Sequence, residues 1–124
     1  MDILGNMTLD EIIYIAKDPN TTTDLLRVLS KDSSWKIKAY VAYNPNTPED
    51  TLQDLVQDKN WEVRASIVEN PQVSIKVLLT LYEHEKNLKK PDSSVIKGLY
   101  QNKKLPYVAK VILETLFEQW VEYL

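Results

Sequence analysis

Cysteine is absent from this chain, glycine occurs only as Gly5 and Gly98, and histidine only as His84. The lack of thiols removes disulfides, thiolate metal sites, iron–sulfur clusters and a cysteine nucleophile together. Two isolated glycines cannot form the glycine-rich loop that cradles a phosphate. One imidazole cannot build a multi-histidine metal site, so neither a metal nor a cofactor is expected. No apolar run approaches the roughly twenty residues of a membrane-spanning helix. The opening Met1-Asp2-Ile3-Leu4-Gly5-Asn6 has no basic stretch followed by an apolar core, and no signal peptide is visible. A cytoplasmic, reducing location away from membranes is the expectation. There is no excess of positive charge, and the net charge of −3 argues mildly against nucleic acid as the main ligand.

What is present is repetition. Pro19, Pro45 and Pro71 stand 26 residues apart, and so do Trp35 and Trp61. Leu26, Leu52 and Leu78 keep the same period, as do Leu29, Leu55 and Leu81. Self-similarity at such a period marks a stack of supersecondary units, each too small to bury its own apolar face. The 124 residues suit one domain, 1–124, long enough to bury a core without covalent staples.

Each unit reads as two short helices. In the second unit, Thr47 suits a cap, Pro48 the first helical position, and Glu49 and Asp50 the positive helix start. Leu52, Leu55 and Val56 supply an apolar stripe at helical spacing. After Asp58-Lys59-Asn60, a second helix from Trp61 to Glu69 stops at Asn70-Pro71, because proline disfavours helical backbone in its predecessor. The first unit matches, with helices at 21–30 and 35–43. In the third, the first helix is longer, and about six extra residues fall around Glu85 to Pro91. Thr8 and Glu11 form a capping box that opens an N-terminal helix. The expected fold is all-α with roughly eight helices: a capping helix in 1–17, repeats at 18–43, 44–69 and 70–101, and a C-terminal capping helix in 102–124.

The phrases Asn44-Pro45-Asn46-Thr47-Pro48-Glu49 and Trp61-Glu62-Val63-Arg64-Ala65 resemble the leucine-rich repeat variant family. The likeness is good over 18–70, weak in the third unit and slight at the ends. It implies a right-handed superhelical stack of short helix pairs, an α-solenoid of about 26-residue repeats akin to HEAT and armadillo arrays. It implies little about activity, since function lives in sites rather than folds.

Aligning the units against one another separates core from surface. Ile37 with Val63, Val41 with Ile67, and Ala42 with Val68 stay apolar and are core. Ala39 and Ala65 stay small, which permits close helix approach. Three other phases vary freely: Lys36, Glu62 and Ser94; Tyr40, Ser66 and Gly98; Tyr43, Glu69 and Gln101. Their i, i+4, i+7 spacing makes one ridge. A core could not exchange tyrosine for serine and glycine, so the ridge is expected in solvent. Lys36, Tyr40 and Tyr43 are the candidate partner-binding residues, since exposed tyrosines concentrate at contact sites; packing over a neighbouring repeat is the plainer use. The recurrent Trp35 and Trp61 are expected to pack between repeats, and His84 to be solvated.

A second candidate is electrostatic. From 86 to 110 there are seven lysines against one acid, Asp92. Lys86, Lys89, Lys90, Lys97, Lys103 and Lys104 could bind an acidic partner or a nucleic-acid backbone; a solvated loop and helix face is the plainer alternative. The last helix is apolar on more than one side, from Leu105 through Val108, Val111, Ile112, Leu116, Phe117 and Trp120 to Leu124. Two uses fit it: folding over the open end of the array, or forming a homodimer surface. No catalytic residue is assigned. Asp50 and Asp54 lie one turn apart, but such a pair is weak grounds for acid–base work, and no hydroxyl is placed beside His84. The functional expectation is a non-catalytic protein-binding module or small scaffold.

Overall fold

The computed structural model describes the backbone of residues 3–120 and the side chains of residues 4–115. A 3₁₀ turn at Ile3–Asn6 precedes eight α-helices: α1 Leu9–Lys17, α2 Thr23–Leu29, α3 Trp35–Tyr43, α4 Glu49–Leu55, α5 Trp61–Glu69, α6 Ile75–Lys86, α7 Ser93–Gln101 and α8 Tyr107–Trp120. Among the described residues there is no strand. The side chains of Leu116, Phe117 and Trp120 lie outside the described residues, and Val121 to Leu124 lie outside them altogether.

Local chemistry explains where the helices start. Thr8 accepts from the Glu11 amide at 3.2 Å while Glu11 Oε1 accepts from the Thr8 amide at 3.4 Å, a reciprocal capping box. Thr22, Asn60, Ser74 and Asp92 cap α2, α5, α6 and α7 in the same spirit. The start of α4 differs from expectation: Pro48 occupies the N-cap, and Thr47 does not cap. The buried Thr47 hydroxyl instead donates to the Val41 carbonyl at 2.6 Å, just as Thr21 donates to Ile15 at 2.5 Å. Each adds a second donor to a carbonyl in the last turn of the preceding helix, which otherwise accepts only from the C-cap amide, Asn44 on Val41 at 3.1 Å and Asp18 on Ile15 at 3.2 Å.

The helices pack by kind. The odd-numbered helices α1, α3, α5 and α7 contact one another in order, and α4, α6 and α8 do the same on the other side. Between them lie Leu26, Leu52 and Leu78; Leu29, Leu55 and Leu81; Ile37, Val63 and Val95; and Val41, Ile67 and Leu99, all buried. Ala39 and Ala65 sit half-buried against this core, where α3 and α5 share their extensive contact.

Polar rungs join one repeat to the next. Asn44 Nδ2 donates to the carbonyls of Ala16 and Asp18, both at 2.8 Å. Asn70 repeats this one unit later, reaching Ala42 at 2.8 Å and Asn44 at 2.9 Å. Asn102 makes one longer bond, 3.2 Å, to Val68. Each Oδ1 meanwhile accepts the amide two residues on, from Asn46, Gln72 and Lys104. Asp18 occupies the first position of this series, bonds the Asn20 amide likewise, and has no amide with which to reach backwards.

Charged rungs occur too. Lys38 pairs with Asp58 at 2.7 Å, and Arg64, one repeat on, pairs with the fully buried Glu85 at 2.8 Å. Arg64 Nη1 also donates to the carbonyls of Asp58 and Lys59, and Glu85 Oε2 accepts the Asp92 amide. Glu85 thus ties the six extra residues of the third unit to α5, and the segment that follows them is helix α7, capped by Asp92.

The outermost helices carry charge at rows that are apolar inside. Glu11 stands at the row of Ile37, Val63 and Val95, and is exposed where those are buried. Lys110 stands at the row of Leu26, Leu52 and Leu78, and the exposed Glu114 at that of Val56 and Tyr82. A terminal repeat needs such a polar face where it has no neighbour.

Candidate functional site

The free face of the odd-numbered helices carries the ridge. Lys36, Tyr40 and Tyr43 are exposed on α3; Glu69, Ser94 and Gln101 are exposed on α5 and α7, while Glu62, Ser66 and Gly98 are half-buried. Gly98 is small for a reason beyond the surface: a Cβ there would stand 3.2 Å from Val68 Cγ1. The sequence reading missed Tyr14, which is 73% exposed against 36% for Tyr40 and 51% for Tyr43. The signal was available, because position 14 is one period before 40.

The tyrosines do not stand alone. The Lys17 ammonium lies 5.4 Å from the Tyr40 ring centroid, so a lysine of the N-terminal helix α1, rather than Lys36, covers that ring. Lys36 lies over Trp35 at 5.8 Å. Exposed cation–ring contacts of this kind contribute about 0.5–1 kcal/mol each and hold the ring and stem in place. Trp35 and Trp61 are 38% and 44% exposed. The expectation that they are wedged between repeats is therefore corrected: each is the first residue of its helix, ahead of the first buried position at Ile37 or Val63. With Leu9 in the same row of α1, also exposed, they border the ridge. Tyr14 also edges a shallow cleft with Met7, Asp10, Glu11 and Ile15.

The lysine-rich candidate divides. Lys86 pairs with Glu83 at 3.1 Å and stands 5.2 Å over the Tyr82 ring. Its hydrogen bond to Glu83 holds that ammonium above the usual lysine value. Lys104 donates to the carbonyls of Pro71 at 3.1 Å and Val73 at 2.9 Å, the latter the task Asn46 performs on Thr21 two repeats earlier. Lys89, Lys90, Lys97 and Lys103 are exposed, spread over the loop after α6, α7 itself and the turn before α8.

Other titratable groups are structural in their contacts. Desolvation pushes the Asp50 carboxyl up, but the Thr51 amide and Arg27 outweigh it and hold it below the ordinary carboxylate value. His84 is half-buried rather than solvated, with Nδ1 buried and unpartnered among the described residues. Among the described residues no group of three or more His, Cys, Asp or Glu side chains is placed to hold a metal ion, and no helix is long and apolar enough to cross a membrane.

The chain matches no protein-family model, no curated protein and no solved structure. What the surface does must therefore be argued from its own chemistry.

Proposed function

We propose that this chain is a non-catalytic protein-binding module, a small right-handed α-solenoid of the leucine-rich repeat variant kind, working in the cytoplasm. Order of packing supports the solenoid: odd helices on odd, even on even, with asparagine and ion-pair rungs repeating between units. The partner-binding surface is the ridge of Lys36, Tyr40 and Tyr43, extended by Tyr14 and bordered by Trp35 and Trp61. The observation that carries this reading is the run of exposed aromatic rings in register on successive helices, two of them under lysine ammonium groups. Such rings bury large area at small conformational cost and are enriched where proteins meet.

The test is a nuclease-treated affinity pull-down from the source cell with wild type and a Tyr40→Ala/Tyr43→Ala variant of unchanged helicity. A protein recovered by wild type alone is the expected result. Identical recovery by both baits refutes the ridge. Loss of all recovery on nuclease treatment would move the reading to Lys89, Lys90, Lys97 and Lys103 and a nucleic-acid ligand.

A further inference from the structure

The even-numbered helices change character along the array. Their outward rows carry Thr23, Asp24, Arg27 and a single exposed apolar residue, Val28, on α2, then Glu49, Asp50, Gln53 and Asp54 on α4. On α6 two of those rows become Ile75 and Leu79, and on α8 all four become Tyr107, Val108, Val111 and Ile112. All six of these apolar side chains are exposed, Tyr107 to 79% and Val108 to 70%. Meanwhile Leu105, Ala109 and Leu113 bury the opposite side of α8 against the core. A helix that is apolar on two opposite sides belongs in an interior, and among the described residues only one of them is covered.

Three observations identify what covers the other. A further helix pair of the same array is unsuited, because the inward rows it would occupy carry Lys110 and Glu114 in place of buried leucine and valine or tyrosine. The area fits association: the six side chains offer on the order of 500 Å², at the top of what a stable monomer shows, and twice that reaches the roughly 1,000 Å² of a specific interface. The flanking charge is complementary to itself. Lys110 and Glu114 lie on one flank of the apolar strip, equidistant from Ile112. A two-fold axis passing near Ile112 and perpendicular to α8 sets two α8 helices antiparallel. It then brings Lys110 of each copy beside Glu114 of the other, on the same flank, twice per interface. A patch that meets its own copy in this way closes after two subunits.

We infer that the protein is a homodimer, held by antiparallel packing of α8 on α8 of a second copy with Ile75 and Leu79 of α6 at the edge. This surface lies on the even-numbered helices, leaving the tyrosine ridge of both copies free, so the dimer presents two ridges to a partner.

The experiment is sedimentation equilibrium over a concentration series spanning low to high micromolar. Wild type should give twice the chain mass, and Val108→Asp and Tyr107→Ser should give the chain mass with unchanged helicity, both residues being too exposed to matter to the fold. Lys110→Glu and Glu114→Lys each exchange two attractive contacts for repulsive ones and should weaken the dimer about ten-fold. Combining the two restores the pairs and should return the dissociation constant to within about three-fold of wild type. A wild type of single-chain mass throughout overturns the proposal, as does a mass that grows without limit. A dimer that Val108→Asp leaves intact, or single charge reversals that the double reversal fails to rescue, overturns the antiparallel arrangement.

Discussion

Replacing Asn70 by alanine tests the idea that asparagine rungs, as well as apolar contact, hold consecutive repeats together. Asn70 is 2% exposed and bonds the carbonyls of Ala42 at 2.8 Å and Asn44 at 2.9 Å. These two losses are unequal. The Asn44 carbonyl also accepts the Thr47 amide at 3.1 Å and keeps that partner. The Ala42 carbonyl lies in the last turn of α3, where helix geometry supplies no amide. Orphaning it costs about 1–3 kcal/mol, and the second, shared bond adds about 0.5–1.5 kcal/mol. Asn70→Ala should therefore destabilise by about 2–4 kcal/mol, which for a chain of this size lowers the melting midpoint by roughly 10 °C. Asn44→Ala should behave alike. Asn102→Ala, with one 3.2 Å bond at a half-exposed site, should cost about 1 kcal/mol or less. Asp18→Asn should be neutral to within about 0.5 kcal/mol, since its position has no preceding rung to complete. Urea denaturation followed by circular dichroism measures all four. If Asn70→Ala moves the midpoint no more than Asn102→Ala does, the rungs are not holding the array and the reasoning fails.

Three further outcomes follow from other contacts. Arg64→Met leaves the fully buried Glu85 carboxylate without its cation and should cost about 3–5 kcal/mol, whereas Arg64→Met/Glu85→Gln should recover at least about half of that in the same denaturation assay. Gly98→Ala gains helix propensity but presses a methyl on Val68, so it should stabilise by about 0.5–1 kcal/mol in a Val68→Ala background and by less in wild type; equal effects in both would dismiss the contact. Burial raises the Tyr82 phenol above its ordinary value, an effect the nearby Lys86 only partly offsets. Because the folded value is the higher one, its stabilisation is full below the unfolded tyrosine pKa of about 10 and is lost as pH rises through the folded value. Tyr82→Phe should flatten that alkaline loss, read as unfolding midpoint against pH.

Much of the architecture could be read from a few residues. Prolines at 19, 45 and 71 and tryptophans at 35 and 61 fix the period, and leucines at 26, 52 and 78 and at 29, 55 and 81 fall in the core. The tryptophans themselves were less legible. Recurrence says that a position has the same surroundings in each unit, without saying whether those surroundings are protein or water. Asn70 is legible in sequence only as a helix stop and Asn44 only as part of a repeated phrase, although their period and the aspartate at 18 already mark them as a series. Arg64 with Glu85 could not be anticipated, since the six extra residues break the phase where the acid sits. The ridge was found by comparing units, and Tyr14 escaped because the comparison stopped short of α1.

The rungs described above also make the middle of this molecule interchangeable with itself. Asn44 and Asn70 take hold of the same two points on the unit before them, and Lys38 and Arg64 each reach an acid in the unit after. An added copy of residues 44–69, spliced in after Glu69, would therefore carry the asparagine rungs onward to its neighbours on both sides. No such copy could be set outside α1 or α8, where Glu11, Lys110 and Glu114 would be driven under apolar cover. Length in this chain is a variable of its interior, with the stops written at either end.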